Sequence, residues 1–258
     1  MKCQEVSGNW VFLPSRKAIG IIHFLGGAFV ATAPQISYRS ILEHICEKGF
    51  VVIATPFVNT FNHFKIARDV LNGFETTVER LKRSNLLSSG YIPTYGVGHS
   101  MGCKLHLLIS SLYDVERIGN ILISFNNYPA KQAVPFLEQL NIPSTLDVEF
   151  EPSPEETKAI ITKNYNVRRN LLVKFNDDNL DQTILLKRLL EDCSLDMVTA
   201  KRLRGNHLTP LKQKMKWQMG EIYTPIDAIG QWFNQGISKN LNQLTKELIV
   251  WLDPMSAF

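Results

Sequence analysis

The stretch from Tyr95 to Leu105 most narrows what this chain can fold into. An apolar approach runs into Gly98-His99-Ser100-Met101-Gly102, and Met101, Leu105, Leu108, Ile109 and Leu112 then recur at helical spacing. A G-x-S-x-G motif between a strand and a helix is the sequence form of a nucleophile elbow. Its logic is steric: the serine sits on a sharp, strained turn that lifts its hydroxyl above the sheet, and flanking glycines let strand and helix pass closely. The pentapeptide alone is common. The strand before it and the helix after it give it weight.

The chain around this stretch reads as strands alternating with helices. Ser7 to Phe12 forms a first short strand, ended by Pro14. Ala18 to Phe24 is an apolar run of the kind buried parallel strands use, and it empties into Leu25-Gly26-Gly27-Ala28-Phe29. Ile41, Leu42 and Ile45 mark a helix over 37–48 with Gly49 as its stop, and Phe50 to Thr55 is the next buried strand. Strand, helix, strand in that order is a βαβ unit and implies a parallel sheet. Further along, the spacing predicts helices over 64–86, 183–191 and 241–252, and strands over 118–125, 171–175 and around 194–203. Prolines and polar residues break this rhythm between 126 and 169, with helix-like pieces at 133–140 and 154–164. An insertion at that point hangs over the top of the sheet, so 126–169 is predicted to be a cap or lid within a single domain of 258 residues.

A serine hydroxyl is a weak nucleophile until a base, an orienter for that base and donors for the oxyanion surround it. His207, in Gly205-Asn206-His207-Leu208-Thr209-Pro210 after a late strand, is the candidate base. The other five histidines compete poorly. His99 inside the elbow and His23 at a strand end read as packing residues, His106 and His44 as surface residues, and His63 precedes the serine in the wrong chain order. Three carboxylates follow the strand at 171–175. Counting from Phe175 favours Asp178 as the acid, with Asp177 and Asp181 as alternatives. For the oxyanion, the Met101 N–H lies at the start of the elbow helix, where the dipole favours negative charge, and the loop at Gly27 and Ala28 is placed to offer the second N–H. Gly26-Gly27 lacks the third glycine of a dinucleotide fingerprint, so no nucleotide cofactor is implied.

Taken together, the elbow, the glycine loop and the Asp and His loops resemble the α/β-hydrolase superfamily over nearly the whole chain, with Ser100, Asp178 and His207 in the serine–acid–histidine order of that fold. More narrowly, Ile22-His23-Phe24-Leu25-Gly26-Gly27-Ala28-Phe29, Gly98-His99-Ser100-Met101-Gly102 and Phe175-Asn176-Asp177-Asp178 look like a cyanobacterial and plastid branch that carries only a domain-of-unknown-function label. The wider resemblance implies an α/β fold: a doubly wound, mostly parallel eight-stranded sheet with helices on both faces and a small cap insertion. Leu25 stands where the esterase His-Gly-Gly-Gly loop has its histidine, which leaves the oxyanion donors open. The G-H-S-M-G wording is similar to that of lipases, thioesterases and monoacylglycerol-type esterases. It implies a serine hydrolase acting on an acyl ester or thioester through an acyl-enzyme. The alternative is a non-catalytic binding or assembly module that has kept the elbow, since one fold serves many functions.

Composition narrows the partners. Four scattered cysteines, Cys3, Cys46, Cys103 and Cys193, suggest neither a disulfide framework nor a metal site, and point to a reducing, cytoplasmic setting; the resemblance to a plastid branch implies the stroma instead if the chain comes from a plant. No run reaches the roughly 18 apolar residues that a membrane span requires, and the first residues lack the shape of a secretory signal. A net charge of +4 makes no demand for nucleic acid. Lys201-Arg202-Leu203-Arg204, with Lys212, Lys214, Lys216 and Trp217 beyond His207, allow a weak peripheral membrane contact, although a solvated basic face is the favoured account of them. The expected partner is therefore a small-molecule acyl substrate, with no cofactor. Nothing in the sequence sets an oligomeric state.

Overall fold

The computed structural model describes the whole chain except Phe29, residues 131–148, 194–195, 212–236 and Phe258. Its centre is one eight-stranded sheet: β1 (Lys2–Val6), β2 (Asn9–Leu13), β3 (Gly20–Leu25), β4 (Phe50–Ala54), β5 (Thr94–His99), β6 (Gly119–Ile123), β7 (Arg169–Phe175) and β8 (Met197–Leu203). The strand order is β1-β2-β4-β3-β5-β6-β7-β8. β3 to β8 run parallel, while β2 pairs antiparallel with both β1 and β4. The β1–β2 hairpin was not anticipated: only β2 reads as a strand, because β1 is a polar edge strand with most of its residues exposed. Ser7 and Gly8 close the hairpin at φ 50° and 77°, as a two-residue turn matched to strand twist demands.

Helices cover both faces of the sheet. α1 (Pro34–Ser37) and α2 (Arg39–Glu47) come first, and α3 (His63–Arg83) and α4 (Met101–Leu112) flank β5 in sequence. α5 (Pro154–Asn164), α6 (Thr183–Asp192) and α7 (Ile237–Leu252) complete the set among the described residues. The helix predicted over 37–48 is in fact two, because Tyr38 leaves helical geometry between α1 and α2.

Strand alternation sorts the core into two layers. Ile22 and Phe24 of β3, Val52 of β4, Val97 of β5 and Ile121 and Ile123 of β6 point to α2 and α7, where Ile41, Leu42, Ile45, Leu244 and Leu248 meet them. The opposite face meets α3 to α6: Leu25 packs with Leu71, Leu105 and Leu108, and Leu122 and Leu172 pack with Leu107, Ile161, Leu186 and Leu190. Each such side chain, fully buried, contributes roughly 1.5–3 kcal/mol of transfer free energy.

The predicted cap, 126–169, is described only at its two ends. Residues 131–148, including the helix-like piece at 133–140, lie outside the described residues. From Glu149 on, however, the chain runs back over the body. Glu151 N–H donates to the Phe61 carbonyl at 2.8 Å and His63 N–H to the Glu151 carbonyl at 2.6 Å. α5 is nucleated by Pro154 and a Ser153–Glu156 capping box, and it buries Ile161 against the sheet. Residues 154–164 form this helix, which packs on α4 and α6.

α4 also departs from expectation. It is buried along nearly all its length, Met101 to Ser111, because α3 and α5 pack on either side of it. His106 is therefore wholly buried and not the surface residue its position off the apolar stripe suggests. It meets the buried His23 edge-on at 5.1 Å. His23 in turn stacks on Phe74 at 4.2 Å and accepts from Arg117 Nη2 at 2.9 Å. Among the described residues no helix is long and apolar enough to cross a membrane.

Candidate active site

β5 delivers the elbow to the carboxyl edge of the sheet. Ser100 has φ 55° and ψ −118°, a conformation that costs a non-glycine residue on the order of 1–3 kcal/mol. The surroundings enforce it. Ser100 N–H donates to the Ile123 carbonyl at 2.9 Å, and strand and helix are pressed so close that a Cβ on Gly98 would lie 2.6 Å from Gly102 backbone atoms. α4 starts at the next residue, Met101, so the serine stands over a helix N-terminus.

Two further strands bring the partners. Asp178 follows β7 and His207 follows β8, and the ends of these strands are tied together by Asn176 N–H to the Leu203 carbonyl and Asp177 N–H to the Gly205 carbonyl, both 2.9 Å. Gly205, at φ 124°, turns the chain, and the Asn206 side chain accepts from Leu208 N–H at 3.0 Å, which fixes the loop carrying His207. His207 Nε2 lies 3.0 Å from Ser100 Oγ and its Nδ1 lies 2.9 Å from Asp178 Oδ2. The Asp178 side chain is fully buried and that of His207 is 17% exposed. Burial works to raise the Asp178 pKa. The hydrogen bond and charge of His207 and the Leu180 N–H outweigh it, and the carboxyl is held below its ordinary value. An ionised Asp178 facing Nδ1 requires the proton on that nitrogen. Nε2 then accepts, and the Ser100 hydroxyl donates to it.

The other two aspartates are occupied elsewhere. Asp181 Oδ1 accepts from Lys174 Nζ and from Thr183 N–H, both at 3.0 Å, so it pairs with a lysine and with the first residue of α6. Asp177 is exposed. Only Asp178 among the three reaches the histidine.

Beneath the triplet lies a second relay that the sequence does not announce. Gly27 N–H donates to the buried Tyr38 hydroxyl at 2.7 Å, that hydroxyl lies 2.7 Å from His99 Nδ1, and His99 Nε2 lies 2.9 Å from the His207 carbonyl. His99, read as packing, thus braces the loop that holds His207. Gly27 requires correction: its N–H is committed to Tyr38 and is not free for a ligand. Asn126, which the sequence places only at the start of the predicted cap, donates through Nδ2 to Ser100 Oγ at 3.0 Å. The doublet Asn126-Asn127 directly after a strand was the only available signal.

Burial, reinforced by the charge of His207, holds His99 at a pKa of about 3, and burial with the charge of Lys104 does the same to His63. Burial, then Arg117, also pushes His23 and His106 well below 6.5. These groups are neutral when folded, but the unfolded chain takes up their protons below about 6.5, so stability is present above that pH and is lost as pH falls. Each such group steepens that loss. The urea midpoint is expected to drop steeply between pH 7 and pH 5; a midpoint constant over that range would contradict neutral buried histidines.

Among the described residues no group of three or more His, Cys, Asp or Glu could hold a metal ion. All four cysteines are free. Of the basic residues near the site, Lys201 pairs with Glu247 at 3.3 Å and Arg202 donates to Asn176 Oδ1 at 2.7 Å. Lys212, Lys214, Lys216 and Trp217 lie outside the described residues.

The strand order, the antiparallel β2 and the elbow after β5 define an α/β-hydrolase fold. The chain belongs to the DUF1350 family, described as a protein of unknown function, whose profile matches residues 2–254. No curated protein matches the sequence. Solved structures similar to it include FphF, a fluorophosphonate-binding serine hydrolase of Staphylococcus aureus, at 16% identity and TM-score 0.55 over 77% of this chain and 85% of that one. The S-formylglutathione hydrolase FrmB of Staphylococcus aureus is 15% identical, with TM-score 0.57 over 91% of this chain and 90% of its own. Est1E from Butyrivibrio proteoclasticus is 11% identical, with TM-score 0.53 over 95% and 93%. These likenesses establish the fold.

Proposed function

We propose that the protein is a serine hydrolase that cleaves an acyl ester or thioester through an acyl-enzyme. The observation that carries this reading is the unbroken hydrogen-bonded path from Ser100 Oγ through His207 to a buried Asp178, set on a strained elbow. Ser100 attacks the acyl carbon while its proton passes to His207 Nε2. The leaving atom departs with that proton, and water, activated by the same nitrogen, releases the acid. Asp178 holds the tautomer and stabilises the imidazolium.

For the oxyanion, Met101 N–H at the head of α4 supplies one donor. With the Gly27 N–H given to Tyr38, Ala28, next along the loop, is the second. Two similar folds bear names that support the chemistry, a fluorophosphonate-binding serine hydrolase and an S-formylglutathione hydrolase. The test is hydrolysis of p-nitrophenyl acyl esters. Turnover is expected from the native chain and not from Ser100→Ala of unchanged circular dichroism; equal rates from both would overturn the reading.

A further inference from the structure

Asn126 touches the serine oxygen and has no part in the Ser100–His207–Asp178 relay. The chain on either side of it is pinned to the body. On one side, Phe125 accepts through its carbonyl from Gln182 N–H at 2.7 Å. On the other, Asn127 N–H donates to Gln182 Oε1 at 2.8 Å and Asn127 Nδ2 to the Pro154 carbonyl at 3.1 Å. The segment that bears Asn126 is thus pinned to the start of α6 and the start of α5. A donor on a pinned segment needs only a small shift to exchange one acceptor for its neighbour.

Hydrogen placement is consistent along the chain of bonds. Because the Ser100 proton points to His207 Nε2, Oγ has lone pairs left to accept, and Asn126 Nδ2–H fills one of them at 3.0 Å. The sheet order then fixes the side from which Asn126 approaches. β3, whose loop carries Gly27 and Ala28, lies on one flank of β5, whereas β6, which leads to Asn126, lies on the other, together with β7 and β8. Asn126 and His207 therefore share a flank, opposite the loop that faces the oxyanion.

Resting on the serine-hydrolase reading, we propose that Asn126 is a catalytic hydrogen-bond donor to the leaving-group oxygen, and that the site is built for oxygen esters of unactivated alcohols in preference to thioesters. As Oγ bonds to the acyl carbon, its proton goes to His207 Nε2 and its oxygen becomes the ether-type oxygen of a tetrahedral intermediate, a weaker acceptor than the hydroxyl it was. The Asn126 N–H is released from it. The atom that must next take the proton from Nε2 has to lie on the His207 flank, and so beside Asn126. When the bond between the acyl carbon and that oxygen breaks, the electron pair stays on the oxygen, and the N–H stabilises it while Nε2 delivers the proton. An alkoxide gains most from this. A p-nitrophenolate carries little basicity, and a thiolate sulfur is a poor acceptor, so neither gains much.

The test is kcat/KM for a butyrate series that differs only in leaving group: p-nitrophenyl, phenyl and ethyl esters, and the ethyl thioester. Asn126→Leu, which keeps bulk but cannot donate, is expected to lose about 10- to 100-fold on the ethyl ester and less than about threefold on the p-nitrophenyl ester and the thioester. The dependence of rate on leaving-group pKa becomes steeper. Asn126→Ala serves as a second variant should the leucine fail to fold, and thermal midpoints report folding in both. An equal loss across all four substrates assigns Asn126 only to positioning Ser100 and overturns the proposal, as does no loss at all. Absence of turnover by the native chain on every ester would instead bring down the serine-hydrolase reading itself, so the two failures are distinguishable.

Discussion

His207→Ala is expected to reduce kcat for ester hydrolysis by roughly 10⁴- to 10⁶-fold while leaving the thermal midpoint within a few degrees of native. The side chain is partly exposed, and the buried Asp178 that it leaves keeps the Leu180 N–H and can take up a proton, so the loss falls mainly on the chemistry. Without Nε2 at 3.0 Å, the Ser100 proton has no acceptor and the leaving atom has no acid. Asp178→Asn is expected to follow with a loss of about 10⁴-fold, because an amide facing Nδ1 favours the wrong tautomer. Asp177→Asn, at an exposed carboxylate that only flanks the site, is expected to change kcat by less than about twofold. Steady-state kinetics on one p-nitrophenyl ester, with urea unfolding alongside, measures all three. An Asp177 effect larger than that of Asp178 would reverse the assignment of the acid.

Gly102→Ala is expected to be among the most damaging single substitutions in the chain. A Cβ there would stand 2.1 Å from the Leu25 carbonyl oxygen, 2.7 Å from its carbon and 2.9 Å from the Gly26 oxygen. All three are backbone atoms of β3 and its loop, which cannot swing aside as a side chain would. Overpacking of this kind costs more than about 4 kcal/mol, and a domain of this size should lose on the order of 10 °C in thermal midpoint, or fail to accumulate in soluble form. Gly73→Ala is the matched control. In α3 its Cβ would meet nothing closer than 3.5 Å, and alanine favours the helix, so the midpoint is expected to hold or rise. Equal midpoints for the Gly102 and Gly73 variants would show that the elbow is looser than its geometry requires.

Much of this architecture is legible in the sequence because it is encoded over short range. The elbow is written in five residues, the buried parallel strands are short apolar runs such as Phe50–Ala54, and Asp178 and His207 each sit just past a strand end. A strand end is a reliable marker in a parallel sheet, where every strand delivers its loop to the same edge. What escaped depends on the third dimension. His106 looked solvent-facing because the apolar stripe of α4 describes one packing face, whereas two helices cover the others. Gly27 looked like an oxyanion donor because a glycine loop faces the site. Only the fold shows that Tyr38, from a different element, has taken its N–H. Asn126 escaped for a similar reason: a polar, proline-rich segment gives no sign in the sequence that its two ends are fastened to the body.

The central claim is that Ser100 is an activated nucleophile. The most direct measurement is the intact mass of the folded protein after incubation with a fluorophosphonate near neutral pH, followed by mapping of the modified peptide. One adduct at Ser100 is expected, absent from Ser100→Ala and much slower to form in His207→Ala. Folded native protein that takes up no adduct, or an adduct that persists in Ser100→Ala, would contradict it.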